Sequence, residues 1–257
     1  MAHIHQTAIV DPEAKLGSNV TIGPYAIVEK NTVIGDDTVI DSHALVAAGS
    51  RIGSKCKIAH GAVVGTVPQD LKFQGEETTI SIGDRTTIRE FATLNRGTVD
   101  HGTTTVGSDC LIMAYAHVAH DCVLGNHVIL SNSVNLAGHV SIDDYAILGG
   151  MTPVHQFVHI GQHVFIGGGF RVSKDVPPYI LAGNEPLRFT GLNSVGLRRR
   201  NFAADVIAKL KRTYRLLFRS GLNVSQALEQ ISQEPEIIPE VQSVIEFVKK
   251  SQRGIIG

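Results

Sequence analysis

The sequence predicts a parallel β-helix followed by an α-helical segment. Three observations predict it: an aliphatic residue returning every six positions, a small residue four places after it, and a change to helical spacing beyond about residue 201. The aliphatic series runs Ile4, Val10, Leu16, Ile22, Val28, Ile34, Ile40, Val46, Ile52, Ile58 and Val64 without a miss. The small or short residues that follow are Ala8, Ala14, Val20, Ala26, Thr32, Thr38, Ala44, Ser50, Cys56 and Ala62. A helix needs a 3.6 period and an alternating strand a period of two. Six fits neither, and reads as one short strand plus one corner per hexad.

The register breaks near 66–79, resumes at Ile82, Ile88 and Leu94, and breaks again near 97–105. It then holds from Val106 to Val172, until the Pro- and Gly-rich SKDVPPYILAGNEP ends the repeat. The tail carries Phe202, Val206, Leu210, Tyr214 and Leu217 on one helical face, with Gly221 as a stop signal. VSQALEQISQ and PEVQSVIEFVKKSQ read as two more helices. Residues 1–186 are therefore read as the β-helix with two insertions. Residues 187–257 are read as a helical segment that caps or flanks its last coil.

The 257 residues are 43% hydrophobic and 18% charged, which fits a globular chain with ample length for a core. A net charge of −1 argues against a generic nucleic-acid binder. No apolar run is long enough for a transmembrane helix, and MAHIHQTAIVDPEAK lacks the layout of a signal peptide. All three cysteines, Cys56, Cys110 and Cys122, fall at the small position after an aliphatic residue. They read as buried small hydrophobes in a reducing, cytoplasmic setting. The charge is uneven: residues 187–257 hold 12 Lys and Arg against 6 Asp and Glu. That excess fits either a solvated helix face or a surface for an acidic partner.

If three hexads make one coil, residues 18 apart stack at about one strand spacing, ~4.8 Å. His120 then lies under Gly138 and Gln156, and Asp121 under His139. His117 and His155 fall close by, so four His, one Asp and one Gln gather at one edge of three coils. None takes an inward position, so all are expected to be reachable from outside. A second column of His127, Tyr145 and His163 lies on another face. His120 is the leading candidate for proton transfer, because imidazole titrates near neutrality and Asp121 is adjacent. Neighbours on a strand point oppositely, however, so the sequence does not establish that Asp121 reaches the ring.

The hexads resemble the left-handed β-helix acyltransferases, and the hand is taken from that likeness. The ordered set QDLK (Gln69 to Lys72), NRGT (Asn95 to Thr98), AHVAHDC (Ala116 to Cys122), AGHV (Ala137 to Val140), VHQF (Val154 to Phe157), DVPPY (Asp175 to Tyr179) and LRRRNF (Leu197 to Phe202) is more specific. It resembles the UDP-N-acetylglucosamine 3-O-acyltransferases of lipid A biosynthesis over essentially the whole chain. The resemblance implies transfer of a 3-hydroxyacyl group from acyl carrier protein to the sugar 3-hydroxyl. It also implies a homotrimer with sites between subunits, and no metal or resident cofactor, since the donor rides on the carrier's phosphopantetheine. It gives His120 as general base, Asp121 as its support and the Gly138 N–H as oxyanion donor. It gives Asp70, Lys72, His117, His139, His155 and Gln156 as substrate contacts, and Asn193, Arg199 and Arg200 as nucleotide or diphosphate contacts. Gly168 falls where the family gauges acyl-chain length, and the basic tail suits the acidic carrier protein.

Three positions depart from the commonest family form: Asn95 for a His, Val195 for a Glu and Glu185 for a His. They bear on nucleotide and loop contacts and leave a 3-amino acceptor sugar as an alternative. A related glucosamine N-acyltransferase is expected to carry an extra N-terminal domain, whereas the hexads here begin at residue 4. A zinc hydratase of the γ-carbonic anhydrase type would draw on His117 and His120, but gives QDLK and the Arg198–Arg200 run no role. A non-catalytic scaffold would tolerate replacement of His120.

Overall fold

The computed structural model describes residues 1–257. The expected left-handed parallel β-helix is present, as three sheets of 11, 8 and 8 strands wrapped into a triangular prism. Most strands are two residues long, one outward and one inward, because each hexad spends its other residues on a corner. Successive coils pair in register at an offset of 18, as in Ile112 with Leu130 and Val118 with Leu136. The inward aliphatic residues from Val20 to Val176 form one continuous core, and the three cysteines are buried and free within it. Burial pushes the Cys110 thiol up to about 11 and the Cys122 thiol to about 12, so both stay protonated and inert.

From Asn19 to Gly169 the regular corners turn through a residue with positive φ three places after the aliphatic one, including Asp121 at 59°, His139 at 61° and Phe157 at 63°. Both insertions leave the second sheet, at Val63–Thr66 and Thr93–Asn95, and rejoin the third at Thr79–Ile82 and Thr103–Val106. They therefore project from one edge of the prism. That edge, one coil further on, carries His120 and Asp121.

Three sequence expectations are corrected. Ile4 is half exposed rather than buried, because no coil lies beneath the first one to cover it. The Pro-rich stretch does not end the repeat: Val172 bridges to Val154 and Val176 to Ile160, so it forms one more, shortened coil. Pro lacks the N–H needed for a ladder, which is why strands are not visible there in the sequence. The helical tail begins instead with a strand, Arg188–Leu192, that pairs antiparallel with Ile180–Gly183 and extends the first sheet.

Four helices follow: α1 (Ser194–Arg199), α2 (Ala204–Arg219), α3 (Val224–Ser232) and α4 (Pro239–Lys250). The short α1 is absent from the sequence reading. The expected face of α2 is inward, with Leu210, Tyr214 and Leu217 buried, and the Tyr214 hydroxyl donates to the Pro178 carbonyl of the last coil. Asn223 and Gln226 form a capping box at the start of α3, and Pro239 takes the first turn of α4. Gln162 donates to the Tyr179 hydroxyl at 2.6 Å and to Ser243 of α4 at 3.2 Å, tying the helices to the solenoid.

Candidate active site

His120 and Asp121 are corner residues rather than strand residues, and this resolves how neighbours in sequence can meet. Positive φ at Asp121 folds its carboxylate back toward the preceding ring. Nδ1 of His120 lies 2.9 Å from Oδ2 of Asp121. A carboxylate only accepts, so Nδ1 carries the proton and Nε2 keeps its lone pair. The ring is nearly enclosed, at 13% exposure, while the Asp121 side chain has none.

The expectation that all six clustered residues are open to solvent fails at Asp121. The second insertion covers it: the Thr98 N–H donates to Oδ1 at 2.9 Å and the Thr98 hydroxyl to Oδ2 at 2.6 Å. The Asp121 N–H donates in turn to the Thr104 hydroxyl at 2.8 Å. Burial pushes the carboxyl up, but the hydrogen bonds from Thr98 and His120 outweigh it and hold it below the usual range. The group is therefore a fixed anion at neutral pH.

Gly138 stands one coil further on, against the His120 ring. A Cβ there would lie 2.6 Å from Cε1 and 2.7 Å from Nε2 of His120, so only glycine leaves the ring in place. The Gly138 N–H makes no hydrogen bond within the chain. The ring edge carrying the free lone pair thus lies against Gly138, whose N–H donor is unused.

His139 stacks on Phe157, with ring centroids 4.6 Å apart, and meets His120 edge-on at 5.1 Å. Burial lowers its proton affinity, followed in size by an opposing effect of Asp121. His117 is also lowered, chiefly by burial, and its Nδ1 lies 2.8 Å from the Thr93 hydroxyl. His155 and Gln156 are exposed at the same edge, where Nδ1 of His155 lies 3.3 Å from the Arg253 guanidinium. His120, Asp121 and His139 bring metal-type donor atoms within 4.8 Å of one another. His120 Nδ1 and both Asp121 oxygens are already hydrogen-bonded, which favours a proton relay over an ion cage. His117, which the hydratase reading needs, stands outside that trio.

Asp70 and Lys72 lie in the first insertion, where the Lys72 N–H donates to Asp70 at 3.0 Å. Neither makes a hydrogen bond to the His120 group. Asn193, Arg199 and Arg200 lie elsewhere, around a cleft of about 430 Å³ over the first sheet that Val195 and Leu192 also line. The Asn193 side chain works within the fold: it accepts from Gly196 to cap α1 and donates to the His163 carbonyl at 2.9 Å. The Arg200 guanidinium sits 5.0 Å over the Tyr145 ring, while Arg199 is exposed and unpaired. Tyr145 belongs to the second column, in which His127, Tyr145 and His163 stack at 4.4 and 4.8 Å. Burial holds His163 down to about 4, so that ring packs as a neutral imidazole. The third sheet separates this corner from His120.

Gly168 sits at the corner between the first and second sheets, beside Gly150. Sequence reasoning missed Thr98 as a functional residue, as well as Arg96, which donates to the Ala48 carbonyl and lies 5.6 Å from the Phe73 ring of the first insertion. Both lie within NRGT, but insertions carry no period to assign partners.

A family model described as UDP-N-acetylglucosamine O-acyltransferase, domain 2, matches residues 175–256, and a bacterial transferase hexapeptide model matches 31–66 and 103–138. An acyl-[acyl-carrier-protein]–UDP-N-acetylglucosamine O-acyltransferase of Thiobacillus denitrificans is 48% identical over 257 residues, covering all of both chains. One of Paracidovorax citrulli is 53% identical over 99% of each chain. The crystal structure of a UDP-N-acetylglucosamine acyltransferase from Bacteroides fragilis superposes with a TM-score of 0.97, at 46% identity over 99% of this chain and all of that one. The likeness runs over the whole chain, and the chain belongs to the UDP-N-acetylglucosamine O-acyltransferase family.

Proposed function

We propose that the chain transfers a 3-hydroxyacyl group from acyl carrier protein to the 3-hydroxyl of UDP-N-acetylglucosamine, the first step of lipid A biosynthesis. The observation that carries this reading is His120 Nε2, oriented by a buried carboxylate and placed beside the free Gly138 N–H. Nε2 takes the sugar hydroxyl proton as that oxygen attacks the thioester carbon. The carbonyl oxygen gains the negative charge and receives the Gly138 N–H. Collapse breaks the carbon–sulfur bond, and the leaving thiolate takes the proton back from His120. Asp121 stabilises the imidazolium between these two transfers. No metal or resident cofactor enters. Analysis of the product by NMR tests the acceptor: acylation of O3 is expected, and acylation elsewhere on the sugar overturns the assignment. Turnover of a 3-amino sugar in preference to the hydroxyl form would favour the alternative raised by Asn95 and Val195.

The working unit in this reading is a homotrimer. In one chain, the dyad lies at the corner between the second and third sheets and the Arg199 cleft over the first sheet, so the two face different sides of the prism. Pairing the dyad of one subunit with the cleft of the next brings both to one nucleotide sugar. His120→Ala and Arg199→Ala, mixed and reassembled at low sugar concentration, are expected to recover activity that neither variant has alone. No recovery in verified mixed trimers would put both clusters in one subunit's site.

Acyl carrier protein is acidic. The cleft between Phe189, Leu192 and α2, with Lys211, Arg212, Arg215 and Arg219 around an apolar floor, supports its docking there. No helix is long and apolar enough to cross a membrane, and we place the reaction in the cytoplasm.

Gly168 is proposed to leave room for the acyl chain. A Cβ there would stand 2.9 Å from the Gly150 carbonyl, so glycine suits this close approach of two coils. Gly168→Met is expected to shift donor preference toward shorter chains, measured with carriers of several lengths. An unchanged donor profile in the folded variant removes Gly168 from this role.

A further inference from the structure

We propose that Thr98 is a positioning residue for the reaction, acting through Asp121 on the His120 base. This rests on the reading of His120 given above. Thr98 contributes two donors to one buried carboxylate, the backbone N–H at 2.9 Å and the hydroxyl at 2.6 Å, one on each oxygen. Held at both oxygens, the carboxylate cannot rotate, and the oxygen facing His120 stays 2.9 Å from Nδ1. Thr98 is itself buried, at 6% exposure, so water does not substitute for it readily.

The surrounding loop is built to present those donors. Gly102 donates to the Thr98 carbonyl at 2.7 Å, and Gly97 donates to Thr79 at 3.0 Å, closing the second insertion on its own base. A Cβ on Gly97 would stand 2.7 Å from the Thr103 Cα, so the close approach requires glycine. Asn95, two residues before Gly97, donates to the Thr66 hydroxyl and the Val67 carbonyl, both at 3.0 Å, pinning the same stem to the first insertion. The loop's conformation is thus fixed independently of Asp121.

The charged and titratable groups around the carboxylate come from three elements. His120 faces it from the same turn. His139, on the next coil, has Nε2 3.8 Å from Asp121 Oδ2 and equally far from Asp100. His101, on the second insertion, lies 3.3 Å from the Asp121 carbonyl oxygen. Among these groups, Thr98 alone donates to both oxygens while remaining neutral at every working pH. It therefore spreads the carboxylate's charge without adding a titration of its own. Removing its hydroxyl leaves more of that charge on the oxygen facing the ring, which favours the protonated imidazole and frees the carboxylate to swing.

Thr98→Val keeps the shape and the N–H donor but loses the hydroxyl. It is expected to lower kcat about ten- to hundredfold, the scale of one hydrogen bond to a charged group. KM for both substrates should stay within about twofold, and the acid limb of the kcat/KM profile should move to higher pH. Thr98→Ser restores the hydroxyl and should return both readouts to near wild type. Thr98→Cys, with a weak donor of similar size, should fall between them and serves as the test if the Val variant does not fold. Unchanged kcat and pH profile in the folded Val or Cys variant overturns the proposal. So does equal damage in Ser and Val, or a rise in KM alone, either of which would mark a merely structural loop. His120→Gln run in parallel separates the two readings: if it retains wild-type turnover, the base assignment fails first.

Discussion

His120→Ala is expected to lower kcat by about 10²–10⁴ while the fold survives. Nε2 of His120 holds the lone pair at this corner that the Asp121 contact orients. The nearest alternatives are poorly placed to replace it. His139 stacks on Phe157, and His117 is tied to Thr93 on the strand before. The ring contributes nothing to the aliphatic core, so the melting temperature should change little. Steady-state kinetics with the purified variant measure the effect. Turnover within about tenfold of wild type would remove His120 from the role of base.

Gly138→Ala is expected to cost about a hundredfold in kcat, although it adds one methyl group and keeps the backbone N–H. The new Cβ would meet Cε1 and Nε2 of His120 at 2.6 and 2.7 Å, inside any real contact distance. Backbone strain is not the cause, because Gly138 does not have positive φ. The ring must give way, and a displacement approaching 1 Å at a reacting group carries a penalty of this order. A double-variant cycle separates this from damage to the oxyanion donor. In the His120→Ala background the ring is gone, so Gly138→Ala should add little. A full additional loss in that background would show that the methyl group harms the N–H site itself.

The hexad series made the fold legible because each inward position sees the same environment on every coil. Where that environment ends, the reading ended too. Ile4 is exposed because no coil lies below it, and Pro177 and Pro178 disguised a last coil by removing ladder donors. The column arithmetic placed His120 under Gly138 and Asp121 under His139, and both stackings are present. It could not decide whether Asp121 reached His120, because that depends on a left-handed corner conformation that Asp, Tyr, Phe and Met all adopt in this chain. Nor could it find Thr98, whose partner lies 23 residues away across an insertion without a period. The same holds for Asn193, whose side chain also caps α1 and donates to the His163 carbonyl 30 residues away, contacts that no spacing in the sequence marks.

The most direct test of the account is acyl transfer followed by mass spectrometry. Purified protein is given UDP-N-acetylglucosamine and 3-hydroxyacyl carrier proteins of several chain lengths, with His120→Ala alongside. The account predicts that the nucleotide sugar gains the mass of one hydroxyacyl group with the wild-type protein, and that this gain falls at least a hundredfold in the variant. No acylated sugar from any donor, or equal product from the variant, would contradict it.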